Sequence, residues 1–284
     1  MPELPEVETI VRDLNSRLVN KKITGVKSTD KKVFQLTAAD VKRAVGKKIK
    51  FVKRRAKIII VNLDRYNLLI HLKMTGQLVY LGQGAPIAGG HPIANQGKKL
   101  PNKFTRVILK FNDKSALYFN DVRRFGWVKL ADAAELKRLN KSFGVEPLSS
   151  GFTLDYFKKA LSRKPKTTIK QALMDQKYVS GIGNIYADES LFAARIKPFR
   201  RVKTLRPLEI KKLWQAIPKI LRSAIKHRGT SFNDYVDAQG EVGNFIKYLK
   251  VYGRAGEKCK SCGGVVKKIK LGGRGTHWCD NCQK

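Results

Sequence analysis

Apolar residues follow the period of a helix at the start of the chain and the period of strands after it. Pro5 fixes the backbone angle that a first helical turn requires, and the glutamates beside it suit the positive end of a helix. The apolar face of this helix recurs at helical spacing and comprises Val7, Ile10, Val11, Leu14 and Leu18. We therefore predict a packed helix directly behind the N-terminus.

Short apolar runs separated by turns fill the segment from about residue 23 to residue 129, which is typical of β-strands. Their spacing favours a sandwich or flattened barrel over a parallel sheet with long crossover helices, and we predict a sandwich. Residues 82–102 are rich in Gly, Pro and Ala and predict a long mobile loop. The predicted strands are 49–52, 57–63, 68–72, 78–81, 106–111, 116–119 and 127–130.

The spacing becomes helical from residue 132 onward. Gly, Pro and Ser residues at 140–152 indicate a linker or hinge, and therefore a domain boundary. The predicted helices are 133–139, 153–162, 168–174, 187–194 and 207–226.

Composition adds a strong positive charge to this picture. The chain has 284 residues, enough for two packed domains and a small appendage, and its 59 Lys and Arg against 22 Asp and Glu give a formal net charge of +37. The basic residues are spread through segments with ordinary core periodicity, which favours nucleic acid as the partner over an anionic membrane surface. No run of 18 apolar residues and no secretory leader is present, so we expect a cytoplasmic protein.

All four cysteines lie in the last 26 residues, as the pairs Cys259-x2-Cys262 and Cys279-x2-Cys282. Four thiolates at this spacing predict a closed tetrahedral zinc site, which is structural because no position remains for water. Redox-active thiols are the alternative. A turn flanked by glycines between the pairs carries Arg274 at the tip of a predicted hairpin, where a guanidinium suits a phosphate.

Pro2 becomes a secondary amine at a free terminus once Met1 is removed. A chain α-amine has a pKa of about 7.7 to 8.0 and is therefore available as a nucleophile near neutral pH. Its condensation with a sugar aldehyde gives a cationic iminium that acidifies the neighbouring carbon, as in Schiff-base catalysis by lysine. Glu3 and Glu6 supply two carboxylates close by. The alternative is that these residues only begin the first helix.

Three further patterns are ambiguous on their own. Lys57 ends the segment FVKRRAK and is more typical of a solvated strand end than of a catalytic amine. Met74, Arg123 and Phe125 lie on predicted turns and suit insertion into a base stack, although ordinary hairpin packing is the simpler explanation. The turn before Asn184 suits a phosphate at a helix N-terminus, but its GxGN pattern is weak.

Seven segments, in order along the chain, match one family. They are PELPEVET after Met1, RRAK at 54–57, HLKMTG at 71–76, DVRRFGW at 121–127, LMDQKYVSGIGNIYADESLF at 173–192, VYGRAGEKC at 251–259 and GGRGTHWC ending at Cys279. Through them the chain resembles formamidopyrimidine-DNA glycosylase, a bacterial repair enzyme for oxidised purines, essentially from end to end.

The resemblance implies an α+β fold with an N-terminal β-sandwich that carries an N-terminal helix, a helix-two-turn-helix domain and a C-terminal zinc finger, with DNA in the cleft between them. We place the catalytic sandwich domain at 1–133, a linker at 134–152, the helix-two-turn-helix domain at 153–240 and the four-cysteine finger at 241–284. The expected cofactor is one structural Zn²⁺, with no organic cofactor. The expected partner is double-stranded DNA containing oxidised bases or abasic sites, bound by a monomer in the bacterial cytoplasm near the nucleoid, with no membrane.

The resemblance also assigns roles to single residues. Pro2 is the implied nucleophile at C1′ of the damaged nucleoside, Glu3 the acid/base that assists sugar opening, and Glu6 a supporting carboxylate. Lys57 is implied in β-elimination, and Arg274 in δ-elimination and phosphate contact. The implied DNA contacts are His71, Met74, Arg123, Phe125, Lys166 and Asn184.

One position departs from the family pattern. The family commonly has a DNA-contacting histidine upstream of the RRF segment, and here that place falls near Phe104, with Lys103 and Arg106 as the candidate replacements.

Two alternative functions remain open. One is a glycosylase of the endonuclease VIII type for oxidised pyrimidines, although the PELPE opening favours the purine-specific branch; the other is a zinc-bearing DNA-binding protein without catalysis.

Overall fold

The computed structural model describes residues 1–91, 100–230 and 244–284, and these form two compact units. The first comprises Met1–Lys141 with His227–Ile246, and the second comprises Ser142–Lys226 with Lys247–Lys284. In this division the helical segment and the cysteine-rich segment share one unit. The predicted boundary at 240 and 241 lies outside the described residues.

The first unit is a sandwich of two antiparallel sheets, as predicted. A five-stranded sheet has the order β1-β7-β8-β5-β6, and a four-stranded sheet has the order β2-β3-β4-β9. The strands are β1 Ile23–Ser28, β2 Phe51–Arg55, β3 Ile58–Leu63, β4 Tyr66–His71, β5 Gly76–Leu81, β6 Ile87–Gly90, β7 Thr105–Phe111, β8 Ala116–Asp121 and β9 Trp127–Ala131; the helices are α1 Leu4–Leu18, α2 Ala38–Ala44 and α3 Ala133–Ser142.

Alternate residues of both sheets build one hydrophobic core. In β3, Ile59, Val61 and Leu63 point inward, as the two-residue period of a strand requires. Helix α1 adds its apolar face to the same core and packs against β2 and β6, which are edge strands of the two sheets. The side chain of Asn15 accepts a hydrogen bond of 2.7 Å from the backbone N–H of Val52 on the edge strand β2. The helix therefore covers an edge strand and is held there by apolar and polar contacts.

The structure contains elements that were absent from the predicted strands and helices. Residues 38–44 form a helix, and residues 23–28 and 87–90 form strands. The strand 87–90 lies within the predicted loop, of which residues 92–99 are outside the described residues. Lys57 was predicted to begin a strand, but it lies in the turn between β2 and β3, where Ala56 has a φ of 53°.

The second unit combines a helical bundle with a two-stranded hairpin. Its helices are α4 Leu154–Ser162, α5 Ile169–Met174, α6 Asn184–Ala193 and α7 Pro207–Lys226, with a short 3₁₀ turn at Val202–Thr204. A second 3₁₀ turn, Phe245–Tyr248, spans the point where the chain passes from the first unit to the second. The hairpin pairs β10 Val266–Leu271 with β11 Arg274–Cys279. Among the residues that the structure describes, no helix has the length and apolar character needed to cross a membrane.

Candidate functional site

The strand pairing gathers the sequence-predicted residues of the first unit at one end of the sandwich, which we call the site end. Lys57 lies in the β2–β3 turn, and the pairing of Ile59 with Ile70 brings the last residue of β4 to the same end. That residue, His71, pairs in turn with Trp127, so the β8–β9 turn also lies there. Hydrogen bonds between α1 and β2 orient the N-terminus of the helix toward this end.

The N-terminal carboxylates are almost fully buried. Glu3 and Glu6 are each 3% exposed, and the Glu3 backbone N–H donates to Glu6 Oε2 at 2.8 Å. Pro2 is also buried, whereas Met1 is 46% exposed. While Met1 is present, the nitrogen of Pro2 is acylated by it, so the nucleophilic form of Pro2 requires loss of that residue.

The second oxygen of Glu6 binds a segment that the sequence did not bring to attention. Oε1 accepts a hydrogen bond of 2.8 Å from the backbone N–H of Thr230. Gly229 has a φ of 84°, and a Cβ built on it would lie 2.8 Å from the same oxygen. Glu6 therefore joins the start of α1 to the residues just before 231–243. A glycine followed by threonine carries no sequence signal that would have revealed this contact.

Lys57 is 7% exposed, which contradicts the solvated strand end that its local sequence favoured. The strand before it is fixed to α1 by an ion pair of 2.7 Å between Arg54 and Glu8. Because Lys57 is buried in the turn between β2 and β3, its ammonium group is held in a defined place. The position suits the catalytic role that the resemblance assigns.

His71 is held as a neutral ring. Its Nδ1 accepts a hydrogen bond of 3.0 Å from the Lys73 backbone N–H, and its ring lies 5.7 Å from that of Trp127. Burial, and to a smaller extent the charges of Lys73 and Lys57, together lower the pKa of His71 to about 3. With Nδ1 accepting, Nε2 carries the proton and remains a hydrogen-bond donor.

Asp121 connects the two turns that carry the predicted wedge residues. It is fully buried; one oxygen accepts from the Thr75 hydroxyl and the other from the Gly126 N–H at 2.7 Å. The Thr75 hydroxyl oxygen also accepts a hydrogen bond of 3.0 Å from the Arg123 N–H. The turn with Met74 and the turn with Arg123 are thus fixed to each other through one carboxylate.

The two arginines of the β8–β9 turn have different partners. The guanidinium of Arg123 lies 4.5 Å from the centre of the Phe125 ring, and Phe125 is 45% exposed. Arg124 has a φ of 58° and donates from Nη2 to Asp30 at 3.1 Å. Burial raises the pKa of Asp30, but the hydrogen bonds from Arg124 and from backbone amides outweigh it and the net shift is downward. Arg124 is therefore engaged within the unit, whereas Arg123 and the exposed Phe125 are placed to meet a ligand.

Near Phe104 the structure separates the two candidate replacements for the missing histidine. Arg106 donates a hydrogen bond of 2.9 Å to the Asp121 carbonyl and is used within the unit. Lys103 is exposed, with its ammonium 5.3 Å from the Phe104 ring. Lys103 is therefore the residue of the two that is available to DNA.

In the second unit a buried ion pair underlies the hairpin that carries Arg274. Lys170 and Asp188 are 1% and 0% exposed and lie 2.7 Å apart. Lys170 also donates to the hydroxyl of Thr276 at 2.8 Å, and Asp188 accepts from the His277 N–H at 2.9 Å. Sequence reasoning missed this pair, because a lysine in a helix is read as solvated unless its neighbours in space are known.

Asn184 begins α6 and belongs to the same assembly. Its side-chain amide donates to the Gly275 carbonyl at 3.0 Å and to the Tyr252 hydroxyl at 3.3 Å. The next helical turn contributes Glu189, which accepts from the backbone N–H groups of residues 250–252. Burial is the largest influence on the pKa of Glu189 and raises it. Asn184 is therefore built into the hairpin support, and its predicted contact with DNA stays a prediction.

The hairpin tip presents Arg274 to solvent. Gly272 and Gly273 have φ values of 55° and 75°, the left-handed pair that a two-residue hairpin turn needs. A Cβ on Gly272 would lie 2.5 Å from the amide of Gln171, so the tip packs closely on α5. Lys166 is exposed in the turn between α4 and α5.

The four cysteines form a metal site with the dimensions of a zinc centre. Their sulfur atoms all lie within 4.8 Å of one another, with 3.9 Å between Cys259 and Cys282 and 3.4 Å between Cys262 and Cys279. A tetrahedral site with Zn–S bonds of about 2.3 Å places its sulfurs about 3.8 Å apart. The residues fit one structural Zn²⁺, in agreement with the prediction.

Comparison with family models gives three matches along the chain. Residues 1–128 match the formamidopyrimidine-DNA glycosylase N-terminal domain, and residues 143–235 match the H2TH domain of the same family. Residues 256–284 match a zinc finger found in FPG and IleRS.

Individual relatives and solved structures match over the full length. The formamidopyrimidine-DNA glycosylase of Pelotomaculum thermopropionicum is 42% identical over 295 residues, covering 100% of this chain and 99% of the relative. That of Listeria monocytogenes is 37% identical over 289 residues, with 100% of both chains covered. A Lactococcus lactis Fpg mutant with Fapy-dG containing DNA has a TM-score of 0.87 at 36% identity, covering 100% of both chains. L. lactis Fpg with abasic-site DNA has a TM-score of 0.85 at 35% identity, covering 99% of each.

Proposed function

The chain belongs to the formamidopyrimidine-DNA glycosylase family, and on that premise we propose that Pro2, exposed by removal of Met1, is the nucleophile with which it excises oxidised purines. The protein is a base-excision repair glycosylase with AP lyase activity, and its substrate is double-stranded DNA that contains oxidised bases or abasic sites. It acts as a monomer in the bacterial cytoplasm, near the nucleoid.

The proposed reaction proceeds through one covalent intermediate. The Pro2 nitrogen attacks C1′ of the damaged nucleoside, the bond from C1′ to the base breaks, and Glu3 gives a proton to the opening sugar ring. The resulting iminium acidifies C2′, and loss of that proton, served by Lys57, expels the 3′ phosphate. In a second elimination, with Arg274 at the phosphate, C4′ loses a proton and the 5′ phosphate is expelled from C5′. Water then hydrolyses the iminium and regenerates the amine.

One observation carries the proposal: a buried proline terminus, two buried carboxylates and a buried lysine lie on elements that meet at the site end of the sandwich. A lesion must leave the base stack before an amine held in this way can reach its C1′. The exposed Phe125, with Arg123 above its ring and Met74 on the adjoining turn, suits the vacated space. His71 and Lys103 contribute DNA contacts in this proposal.

The second unit contributes DNA contacts and the finger. Lys166 and Arg274 are exposed cations on turns, which suits contact with phosphates. Asn184 is proposed to reach a phosphate from the start of α6. The boundaries at 133, 152 and 240 are part of the same proposal, with the zinc finger at the C-terminal end.

Borohydride trapping tests the central claim. Protein whose intact mass shows loss of Met1 is expected to become covalently attached to a duplex that contains 8-oxoguanine opposite cytosine. The matched control is a chain that keeps one extra residue before Pro2, so that it differs only in having the Pro2 nitrogen acylated. This control should neither excise the damaged base nor form a trapped adduct with DNA. Full base excision and strand cleavage by Pro2→Gly would refute an indispensable secondary amine.

Lesion preference separates this function from an enzyme for oxidised pyrimidines. L. lactis Fpg has also been solved with oxidized pyrimidine containing DNA, so the assay compares rates and does not ask only whether cleavage occurs. We expect faster incision at 8-oxoguanine placed opposite cytosine than at thymine glycol in matched duplexes. The reverse order would favour the endonuclease VIII type, and absence of any trapped adduct would favour a binding protein without catalysis.

A further inference from the structure

A basic groove lies on the sandwich away from the site end. Its floor is the outer face of β2, β3 and β4, the face that points away from the core, where Asn62 pairs with Asn67 and donates to its side-chain oxygen at 2.9 Å. Phe51 and Lys53 lie on the same face of β2, since they are two residues apart. The groove is open to solvent and has a volume of about 530 Å³. We call this cavity the outer groove.

Helix α3 forms the wall of the outer groove without packing into it. The wall residues recur at helical spacing and are Ala133, Leu136, Lys137, Asn140 and Lys141. No residue of α3 is buried, so the helix leaves open space where a packed helix would bury an apolar face. The space lies along the strands, about 17 Å from Lys57 at the level of Asn62, given about 3.4 Å per residue.

The groove carries a surplus of positive charge that neighbouring side chains do not neutralise. Four cations line it, namely Lys53, Arg65, Lys137 and Lys141, against the single carboxylate of Asp64. None of the four cations forms an ion pair with a carboxylate in the part of the chain that the structure describes. A formal charge of +37 on the whole chain makes an anionic occupant more favourable still.

We propose that the outer groove is a second, non-catalytic DNA-binding site that holds one DNA strand, with phosphates at Lys53, Lys137 and Lys141 and a base against Phe51. A basic groove that follows the backbone, together with an exposed aromatic ring, is the combination by which proteins bind single strands without sequence preference. Phe51 is 38% exposed, and the Lys53 ammonium lies 4.8 Å from its ring centre. The exposed amide of Asn140 offers hydrogen bonds to sugar or base.

The size of the cavity favours one strand. A volume near 530 Å³ is within the range of about 300 to 1,000 Å³ that suits a small ligand, which is the scale of one nucleotide unit. An acidic peptide would use the same lysines but has no planar ring to place against Phe51. The two occupants therefore differ in their dependence on that side chain.

The test uses the full chain with its lesion site already occupied. Protein is saturated with a duplex containing a tetrahydrofuran abasic analogue, labelled with one dye, and fluorescein-labelled dT10 is then added. We expect dT10 to bind one to one, measured by anisotropy, while the duplex signal shows that the duplex stays bound. Failure of dT10 to bind the saturated protein would overturn the proposal.

Two variants and a matched control locate the site. The triple variant Lys53→Ala, Lys137→Ala, Lys141→Ala should bind dT10 at least tenfold more weakly, and the slope of log K against log salt should fall by about 2, at about 0.7 per phosphate on a single strand. The control Lys47→Ala, Lys48→Ala, Lys114→Ala removes the same charge from exposed positions off the groove and should change the affinity less than threefold. An equal loss in both would show that only overall charge matters, against the proposal.

Separate measurements test whether a base stacks on Phe51. Phe51→Leu should weaken dT10 about fivefold or more but leave a base-free tetrahydrofuran oligomer unaffected. A decaglutamate peptide that binds as tightly as dT10, with an affinity unchanged by Phe51→Leu, would identify a protein partner and overturn the choice of DNA.

A further measurement uses wild-type protein and needs no variant. Bound dT10 should protect Lys53, Lys137 and Lys141 from acetylation, as measured by mass spectrometry. Lesion incision by the groove variants is measured separately, because the groove is independent of the excision chemistry.

Discussion

The partly buried imidazole of His71 makes the stability of the first unit depend on pH. Its folded pKa of about 3 lies below the ordinary value of 6.5, so the unfolded chain binds a proton between these values that the folded chain does not. Stability is therefore present above pH 6.5 and is lost as the pH falls toward 3. At pH 5 the loss amounts to about 2 kcal/mol, at about 1.36 kcal/mol per pH unit.

The substitution His71→Asn isolates this effect. Asparagine keeps an acceptor for the Lys73 N–H but does not titrate, so the variant should lose less free energy of unfolding than wild type between pH 7.5 and pH 5. Urea denaturation at the two pH values measures both losses. Equal losses would mean that His71 is protonated in the folded protein, against the assignment of a neutral ring.

Single residues differ in how far sequence could predict their surroundings. The cysteine spacing alone was enough for the zinc site, because ligand separation along the chain dictates a tetrahedral thiolate geometry. Lys57 and Lys170 could not be interpreted in this way, since the burial of a lysine depends on residues distant in sequence. The family resemblance indicated a functional role for Lys57, whereas nothing in the local sequence pattern indicated that Lys170 and its partner Asp188 are buried.

At the scale of elements, Asp121 determines whether two turns act together. Asp121→Asn replaces one acceptor oxygen by an NH₂ group, which can accept neither from the Thr75 hydroxyl nor from the Gly126 N–H. One of the two turns then loses its hydrogen bond to residue 121, and we expect the free energy of unfolding to fall by about 1 to 3 kcal/mol. Affinity for lesion duplex should fall as well, because the wedge residues no longer share one support.

The matched control for this prediction is Asp113→Asn. Asp113 pairs with Lys21 at a partly exposed position, where an ion pair contributes about 0 to 1 kcal/mol. Chemical denaturation and duplex titration compare the two variants. Unchanged lesion binding by Asp121→Asn would show that the two turns hold their positions independently.

Element prediction succeeded where periodicity was long and failed where it was short. Helix α7 was predicted at its observed bounds, since 20 residues give several repeats of an apolar face. Helix α2 has 7 residues and only one buried side chain, Ala44, so it offers no face to detect. Strand β6 is a four-residue edge strand with two glycines, which reads as a loop until β5 is known to lie beside it.

For the molecule as a whole, zinc should matter to one unit and not to the other. The finger hairpin is joined to α5 and α6 by buried polar contacts, and all of these belong to the second unit. Removing zinc with a strong chelator should unfold the finger, expose Trp278 and abolish DNA binding, while the sandwich remains folded.

Tryptophan emission separates these outcomes. Trp278 is 6% exposed next to Cys279, so chelation should shift its emission to longer wavelength, and Trp278→Phe should remove most of that shift. Trp127 in the sandwich should keep its environment. Intact lesion binding in the presence of chelator would contradict a structural role for zinc.

The charge of the whole chain predicts a steep dependence of DNA binding on salt. If about 6 to 10 phosphates are neutralised, affinity for lesion duplex should fall about 10³ to 10⁵ fold between about 50 and 200 mM salt, because binding releases counterions from DNA. Lys166→Ala should lower the slope of log K against log salt by about 0.9, since it removes one proposed phosphate contact. Lys114→Ala is the matched control. Lys114 is an exposed lysine in the β7–β8 turn, at the end of the sandwich opposite the site end. The slope of log K against log salt for a short duplex should therefore be the same for this variant as for wild type. A flat salt response in wild type would mean that the +37 charge serves some purpose other than DNA contact.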